Sequence, residues 1–423
     1  KVRNGQTEIT GEAEGRPLAG ATFKIGVDGE EQERILKTDE NGKIYIEGLP
    51  LNTEITITEI QAPDYYLKGK DTQFIIEGKY DGDDKKVTVE NTPVDIEVSV
   101  DKESNKDEAQ GNEIVEYTID NVKNLSNVKL DNFTLTDYLP KEVRIQSLQT
   151  GTYNEDLKYR VTYNTNKKTD IEIAKDLSTT KNNTIDFTKE KLDEDEYITK
   201  FALVFDSVKS NFKSTKDITV AAKVIEGLEV NSTFKNCVVV GGTYIGVTVE
   251  DKDCTPTTVY ENKVEINKTA AEDNQYTGDK AGDKLSNVTL DVYNADTDQK
   301  FGTINIQDGF GELKYLPIGK WYAVETSKND YYVFPENNRF DFEITQKGQT
   351  VVLDIENDVV NLIVDVEKTG TVETEPGKDI TYNFDIQNKS NDTVTNFIWG
   401  DILPSEVRAK SITTGTFNKD NTY

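Results

Sequence analysis

The chain of 423 residues carries 49 Lys and Arg against 78 Asp and Glu, a formal net charge of −29, and it contains neither histidine nor methionine. This charge excludes nucleic acid as a partner, because phosphates require a basic protein face. The lack of histidine removes the commonest general base and the commonest metal ligand. We therefore expect no enzyme that turns over substrate, no metal site and no cofactor.

The length exceeds what one hydrophobic core can serve, so several domains are expected. A hydrophobic fraction of 35% is low, but 20 Tyr and 16 Phe argue against disorder. No segment approaches the ~20 apolar residues of a membrane-spanning helix, so no membrane insertion is expected. The chain shows no signal peptide or wall-sorting tail. It starts at a lysine that we interpret as functional, and we expect it to be a piece of a larger protein.

The sequence repeats itself with a period of about 266 residues. KEVRIQSLQTGTYNEDLKY (141–159) recurs as SEVRAKSITTGTFNKDNTY (405–423), and ITITEIQAPDYYL (55–67) matches WYAVETSKNDYYV (321–333). The order of units is A–B–A–B, with the last B truncated at Tyr423. The predicted domains are 1–93, 94–260, 261–359 and 360–423.

Each unit consists of predicted strands with period-two alternation, separated by turns such as DENG (39–42) and DGDD (81–84). Long amphipathic helical patterns are missing, and 170–193 is the most ambiguous stretch. The junctions 91–102 and 357–368 are strand-like and contain no Gly/Ser linker. The pattern predicts an all-β chain of tandem β-sandwiches that forms an elongated, semi-rigid rod.

Several polar residues continue the apolar register of a predicted strand, where side chains at i, i+2 and i+4 share a face. Ile96, Val98 and Val100, for example, put Lys102 on the buried face. Each complete unit supplies one lysine, one acid and one asparagine in that order, and the second B unit supplies a lysine and an acid. In chain order, these residues within strands are Glu59, Asn91, Lys102, Asp137, Asn236, Lys268, Glu325, Asn357, Lys368 and Asp401.

A buried lysine beside a buried acid is a reactive arrangement. Desolvation lowers the pKa of the lysine and raises that of the acid, and the two titrate as a coupled pair. A neutral amine can then attack the asparagine carbonyl, which the acid polarises, and ammonia leaves. Fixed geometry supplies effective molarities of ~10⁵ M or more. A lysine at a strand end often just enters solvent, but recurrence of the ordered trio in three units favours a Lys–Asn cross-link.

The A units resemble the Cna B-type (SpaA-like) domains of Gram-positive adhesins and pilins. The first A unit carries that family's motifs in GRPLAGATFKI (15–25), TDENGKIYIEGLP (38–50), TEIQAPDYYL (58–67) and VTVENTP (87–93). The resemblance implies an isopeptide bond between Lys1 and Asn91, assisted by Glu59. The second A unit is more degenerate but retains Lys268, Glu325 and Asn357, which implies the same bond there.

The B units look like the fimbrial isopeptide-forming and DUF-eleven surface-repeat domains, which share a leading Lys, G-(x)-Y and N-F-x-x-x-D-x-L-P. This resemblance implies a Lys102–Asn236 bond assisted by Asp137. The other asparagines between Asp137 and Asn236 are alternative partners for Lys102. Lys368 and Asp401 form an incomplete fourth site, whose asparagine would lie beyond Tyr423. Together the resemblances imply immunoglobulin-like and prealbumin-like sandwiches.

Cys237 and Cys254 fall on the last two predicted strands of the first B unit, around a predicted turn at Gly241–Gly242. Two cysteines in one extracellular domain favour a disulfide. That turn does not place them in symmetric hairpin register, so the sequence is compatible with either a disulfide or two free thiols. A reactive Cys–Gln thioester lacks the electropositive setting that it would need.

The predicted function is structural: a stalk or pilus-type segment of an extracellular, cell wall-anchored adhesin, stabilised by single-turnover cross-links. Its partners would be neighbouring subunits or a host-surface ligand, reached through regions outside this chain. The alternative is that the modules themselves bind a host glycan or matrix protein. That alternative predicts an exposed aromatic cluster, for which Tyr65, Tyr66, Tyr331 and Tyr332 are the candidates.

Overall fold

The computed structural model describes residues 2–3, 9, 15–76 and 85–417, and the chain divides into two compact units, Lys1–Glu261 and Asn262–Tyr423. Within the described residues the regular structure is strand, apart from one short 3-10 helix at Phe187–Lys189. The predicted all-β class is confirmed. No helix in the described part of the chain has the length and apolar character needed to cross a membrane.

The first domain of the first unit combines a four-stranded antiparallel sheet, in the order β3-β2-β4-β5, with a parallel pair, β1 and β6. In β2 the alternation TFKIGV buries Phe23, Ile25 and Val27, which form a core with Ile55 and Val89. Its strands are β1 (Val2–Arg3), β2 (Thr22–Val27), β3 (Arg34–Lys37), β4 (Glu54–Gln61), β5 (Thr72–Ile75) and β6 (Glu90–Asn91).

The second domain of this unit has two main sheets that share one core. The larger sheet runs β14-β13-β16-β10-β20-β21-β8, and the other runs β15-β11-β19-β9-β7. Phe133 and Leu203 of the first sheet belong to the same buried cluster as Ile119 and Val220 of the second. The strands are β7 (Val98–Ser104), β8 (Glu108–Ala109), β9 (Ile114–Asn124), β10 (Leu130–Tyr138), β11 (Val143–Gln149), β12 (Thr152–Tyr153), β13 (Lys158–Thr165), β14 (Ile171–Ser178), β15 (Thr184–Asp186), β16 (Ile198–Phe205), β17 (Ser207–Val208), β18 (Ser214–Lys216), β19 (Ile218–Val224), β20 (Thr233–Tyr244) and β21 (Val247–Val259).

The hairpin between β20 and β21 turns at Ile245–Gly246, so the predicted turn at Gly241–Gly242 is wrong. Ile245 and Gly246 have φ values of 43° and 79°, as a two-residue hairpin loop that matches strand twist requires. Gly241 and Gly242 lie inside β20 instead. They allow close approach of neighbouring strands, since a Cβ at Gly242 would meet the Cβ of Leu130 at 3.1 Å.

The second unit begins with two sheets, β25-β22-β28 and β24-β23-β26-β27. β22 and β28 run parallel, as β1 and β6 do, and Val264, Leu290, Trp321 and Ile355 meet in its core. The strands are β22 (Lys263–Ala270), β23 (Val288–Asn294), β24 (Lys300–Ile306), β25 (Phe310–Lys314), β26 (Gly319–Ser327), β27 (Phe340–Ile344) and β28 (Thr350–Asn357).

Residues 360–417 form a single antiparallel hairpin of β29 (Val364–Gly370) and β30 (Tyr382–Asn388). The register of Val364, Val366 and Lys368 was expected to face a core, but all three are exposed in this structure. The reason is that the described residues of this region provide no second sheet to cover that face. Alternation alone therefore does not bury a strand face.

Candidate functional site

The first candidate site, here called the Lys102 cluster, consists of Lys102 on β7, Asp137 on β10 and Asn236 on β20. All three are buried, because each continues the apolar alternation of its strand and the two sheets cover each other's inner faces. The Lys102 ammonium donates a hydrogen bond to Asp137 Oδ2. β10 pairs with β20 so that Asp137 lies opposite Val238, which puts Asn236 diagonally across on the same face.

The surroundings of the Lys102 cluster shift the pKa values of Lys102 and Asp137 toward each other. Burial lowers the pKa of Lys102, and the charge of Asp137 only partly opposes that shift. Burial raises the pKa of Asp137, with Lys102 and the Asn236 side chain acting in the opposite direction. Within the fully described stretch 138–236, Asn236 is the only buried asparagine. The Asn236 side chain is close enough to lower the pKa of Asp137, but neither of its amide atoms makes a hydrogen bond of regular geometry, a costly state for a buried amide.

The Lys268 cluster consists of Lys268 on β22, Glu325 on β26 and Asn357 on β28, again all buried. The parallel ladder puts Lys268 opposite Ile355 and Ala270 opposite Asn357. The Lys268 ammonium donates to Asn357 Oδ1 and lies 3.0 Å from Glu325 Oε2. Asn357 Nδ2 donates to Glu325 Oε1 at 2.7 Å. The three side chains thus form a closed triangle, and burial lowers the pKa of Lys268.

The Asn91 cluster is built by Glu59 on β4 and Asn91 on β6, both buried. Asn91 Nδ2 donates to Glu59 Oε1 at 3.1 Å and Oε2 at 3.0 Å, and to the Leu67 carbonyl at 2.6 Å. The Gly69 amide donates to Glu59 Oε2 at 2.5 Å. Asn91 Oδ1 has no hydrogen-bond partner in the described part of the chain. In the Lys268 cluster the corresponding oxygen, Asn357 Oδ1, accepts a hydrogen bond from Lys268.

Lys1, the predicted partner of Asn91, lies outside the described residues. The backbone register is nevertheless the same in both clusters. Arg3 pairs with Asn91 as Ala270 pairs with Asn357. Lys1 precedes Arg3 by two positions in the sequence, as Lys268 precedes Ala270.

Lys368 and Asp401, the incomplete fourth site, form an ion pair with a distance of 2.6 Å between Nζ and Oδ1. Their side chains are 36% and 23% exposed, against 0% for both Lys102 and Asp137. The Lys368 ammonium lies over the Tyr382 ring, at 4.1 Å from its centroid. The described residues of 360–417 include no buried asparagine that could complete this site.

Cys237 and Cys254 form a disulfide. They lie directly opposite each other in the β20–β21 ladder, with Cα atoms 4.1 Å apart. The expectation that they are out of hairpin register is wrong, because it depended on the misplaced turn. With both sulfurs bonded to each other, neither is available for the thioester alternative.

Sequence reasoning missed two acids on β21. Asp251 Oδ2 accepts a hydrogen bond from the Val100 amide at 2.9 Å, and Asp253 Oδ2 accepts one from the Lys102 amide at 2.7 Å. The spacing of two between the acids, which puts both on one face of a strand, was the available signal. Only the packing of β21 against β7 reveals what they contact.

These arrangements can support aminolysis of an amide. The lysine nitrogen would bond to the asparagine side-chain carbon, the bond from that carbon to the amide nitrogen would break, and the acid would carry the proton to the departing ammonia. Among the described residues, no group of three or more cysteine and acidic side chains is placed to hold a metal ion.

Comparisons with known proteins match two segments of the chain to a domain family. The SpaA prealbumin-like fold domain matches residues 6–93 and 262–359. No curated protein sequence matches this chain significantly. Among solved structures, the chain is similar to BcpA, the major pilin subunit of Bacillus cereus, with 17% identity, 85% of this chain and 98% of that chain covered, and a TM-score of 0.39.

Two pilins from Corynebacterium diphtheriae also match. For the full-length major pilin SpaD the identity is 17%, the coverage 82% of this chain and 94% of that one, and the TM-score 0.35. For the major pilin SpaA the identity is 12%, the coverage 84% of this chain and 98% of that one, and the TM-score 0.34. Two segments of the chain, residues 6–93 and 262–359, are thus similar to the SpaA prealbumin-like fold domain, and in both a four-stranded antiparallel sheet accompanies a parallel strand pair.

Proposed function

We propose that this chain is a tension-bearing stalk or pilus-type segment of an extracellular, cell wall-anchored surface protein, whose domains are stabilised by autocatalytic Lys–Asn isopeptide bonds. The bonds are Lys1–Asn91, Lys102–Asn236 and Lys268–Asn357, assisted by Glu59, Asp137 and Glu325. Each bond forms once, with release of ammonia. The proposed domains are those that the sequence repeat predicts: 1–93, 94–260, 261–359 and 360–423.

The observation that carries the proposal is the closed triangle of the Lys268 cluster. Its amine contacts the side-chain amide of Asn357, and Glu325 contacts both the amine and the amide nitrogen. The pKa of Lys268 is lowered by burial, so the amine can become a nucleophile. Glu325 is placed to pass a proton to the leaving nitrogen, and the buried site excludes the water that would hydrolyse an intermediate.

The proposed bonds would restrict the unfolded chain. By analogy with disulfides, closing a loop of about 90 residues adds ~4–5 kcal/mol to the stability of a domain. Such bonds would also bear tension directly. A pull on the strand of Lys102 would reach the strand of Asn236 through a covalent bond rather than through hydrogen bonds.

The junction inside the first unit fits a role in transmitting force. Asn127 Nδ2 donates to the Pro93 carbonyl at 3.0 Å, and the Asp95 amide donates to Asn127 Oδ1 at 3.0 Å. The tip of the β20–β21 hairpin reaches the first domain as well, where the Tyr65 hydroxyl donates to the Ile245 carbonyl at 3.3 Å. The connecting segment and the hairpin tip therefore each make hydrogen bonds at this junction.

The alternative, in which the modules themselves bind a glycan or matrix protein, has weaker support. It requires an exposed aromatic cluster, yet Tyr66 and Tyr332 are buried in the structure. Tyr331 is exposed and stacks on Tyr276 at 5.3 Å between ring centroids. A glycan and matrix-protein array separates the two functions, because a stalk segment gives no signal on it.

The decisive experiment is intact-mass spectrometry of the chain with Lys1 in its native strand, followed by peptide mapping. We expect the mass to be lower by three molecules of ammonia, with cross-linked peptides at the three named pairs. Glu325→Ala and Asp137→Ala should each restore one ammonia. An unmodified mass for the wild-type chain would refute the cross-link proposal.

A further inference from the structure

The Lys102 and Lys268 clusters differ in how their strands are connected. In the Lys268 cluster the lysine and asparagine strands, β22 and β28, are direct neighbours in one parallel ladder. In the Lys102 cluster the lysine strand β7 is an edge strand of one sheet, and the asparagine strand β20 belongs to the other sheet. No backbone ladder fixes Lys102 relative to Asn236, so something else must hold the two strands together.

Side chains of β21 supply part of that connection. Within the described residues β7 pairs only with β9, so the amides on its other edge have no backbone partner. Asp251 and Asp253 accept hydrogen bonds from the amides of Val100 and Lys102 on that edge. Two acids at spacing two thus meet two amides at spacing two, and they attach β21 to the strand that carries the reacting lysine.

The disulfide supplies the rest of the connection between β7 and β20. Asp253 is followed by Cys254, which is bonded to Cys237, and Cys237 is preceded by Asn236. A continuous path of bonds therefore runs from the Lys102 amide through the Asp253 carboxylate and the disulfide to the asparagine. The side chains of Lys102 and Asn236, which both interact with Asp137, connect the two ends of this path.

We propose that Asp253 and the Cys237–Cys254 disulfide are positioning elements for the Lys102–Asn236 cross-link, holding β7, β21 and β20 in the arrangement that the reaction needs. This inference rests on the proposed isopeptide function. Neither element touches the reacting atoms. Fixing two groups within reaction distance matters because a misplacement of about 1 Å can slow a reaction by 10²-fold.

Asp253 acts by position rather than by activating the amine. Its negative charge raises the pKa of Lys102 and so works against the neutral form that attacks. Its hydrogen bond to the Lys102 amide is the useful contribution. An asparagine at 253 would keep an acceptor oxygen without the charge, whereas an alanine would lose the acceptor.

The test follows bond formation in the full chain made by cell-free translation with an oxidised glutathione buffer. Samples are stopped in denaturant at intervals, digested, and analysed for the Lys102–Asn236 and Lys268–Asn357 cross-linked peptides. The variants are Cys237→Ala with Cys254→Ala, Asp253→Ala and Asp253→Asn. Lys252→Ala is the matched control, since Lys252 is an exposed residue on the same strand. Limited proteolysis of residues 94–260 shows whether each variant folds.

We expect the double cysteine variant and Asp253→Ala to slow the Lys102–Asn236 bond by about tenfold or more. The Lys268–Asn357 bond in the same molecules should form at the wild-type rate. Asp253→Asn should recover most of the rate that Asp253→Ala loses. If the double cysteine variant does not fold, the comparison of Asp253→Ala with Asp253→Asn tests the inference.

Two outcomes would overturn the inference: an unchanged rate for the Lys102–Asn236 bond in these variants, or equal slowing of both bonds, which indicates a general folding defect. Both leave the proposed function intact. Absence of both bonds in the wild-type chain would instead refute the proposed function.

Discussion

Residues 94–260 and 360–417 contain the same kind of ion pair in different surroundings. Lys102 and Asp137 are closed off from solvent between two sheets. Lys368 lies on β29 of a single hairpin and Asp401 on the segment that follows it, and their side chains are 36% and 23% exposed. Exposed pairs contribute little to stability, whereas a buried pair loses several kcal/mol when one partner is removed. Under the proposed function, burial rather than pairing therefore decides which lysine forms a cross-link.

The largest expected difference between the copies comes from removing each acid. Asp137→Ala should abolish the Lys102–Asn236 bond and leave a buried amine unpaired, costing roughly 3–5 kcal/mol in the unfolding free energy of that domain. Asp401→Ala should change stability by no more than about 1 kcal/mol. Chemical denaturation and intact mass measure both effects. Equal effects of the two substitutions would show that burial is not what separates the sites.

The pH dependence of cross-linking sharpens the same comparison. The reactive form, with a neutral amine and a protonated acid, carries the same number of protons as the ion pair, so the rate should be flat between the two pKa values. Burial raises the pKa of Asp137 above 3.8 and lowers the pKa of Lys102 below 10.5. Both shifts narrow the pH range over which the rate is constant. Asp253 partly opposes the shift at Lys102.

At lower pH the pair gains a second proton, the amine becomes charged, and the rate of bond formation should fall. At higher pH the acid is lost, and the rate should fall again. Time-resolved peptide mapping of freshly made chain across the pH range measures this profile, and Lys368 should stay a free amine throughout. A rate that only rises with pH would argue that Asp137 takes no part as an acid.

Mechanical extension gives a smaller difference. The disulfide bypasses residues 238–253, so tension would pass from Asn236 through Cys237 to Cys254 without extending the hairpin. In single-molecule pulling, reductant should add an extension step of ~50 Å, from 16 residues at ~3.3–3.6 Å each less the folded span. The double cysteine variant should show that step without reductant. A force–extension trace unaffected by reductant would mean that the disulfide carries no tension.

The smallest expected effect concerns the hairpin tip. Tyr65→Phe removes the hydrogen bond to the Ile245 carbonyl and should cost roughly 0.5 kcal/mol locally. Hydrogen exchange at the amides of Gly246 and Val247 should become faster. Tyr331→Phe is the matched control at the repeated position, because its hydroxyl makes no described hydrogen bond. Unchanged exchange in Tyr65→Phe would show that the tip is held by packing alone.

Alternation with apolar neighbours two positions away predicts that Lys102, Asp137 and Asn236 lie on the core face of their strands, and all three are buried. The same rule was wrong for Lys368. A strand's alternation specifies which residues share a face, but a face becomes buried only when a second sheet covers it. The hairpin turn was also misplaced, because two glycines that permit close strand contact resemble turn residues in sequence.

The sequence by itself determined the all-β class, the repeat of domains and the polar residues that share a face with the core, because these depend on local periodicity. Only the tertiary structure decided that Asn236 meets Asp137, that Cys254 lies opposite Cys237 and that Asp253 contacts the Lys102 strand. These contacts join residues on different strands or sheets, many positions apart in the chain. Their geometry depends on how the sheets pack, which no local pattern specifies.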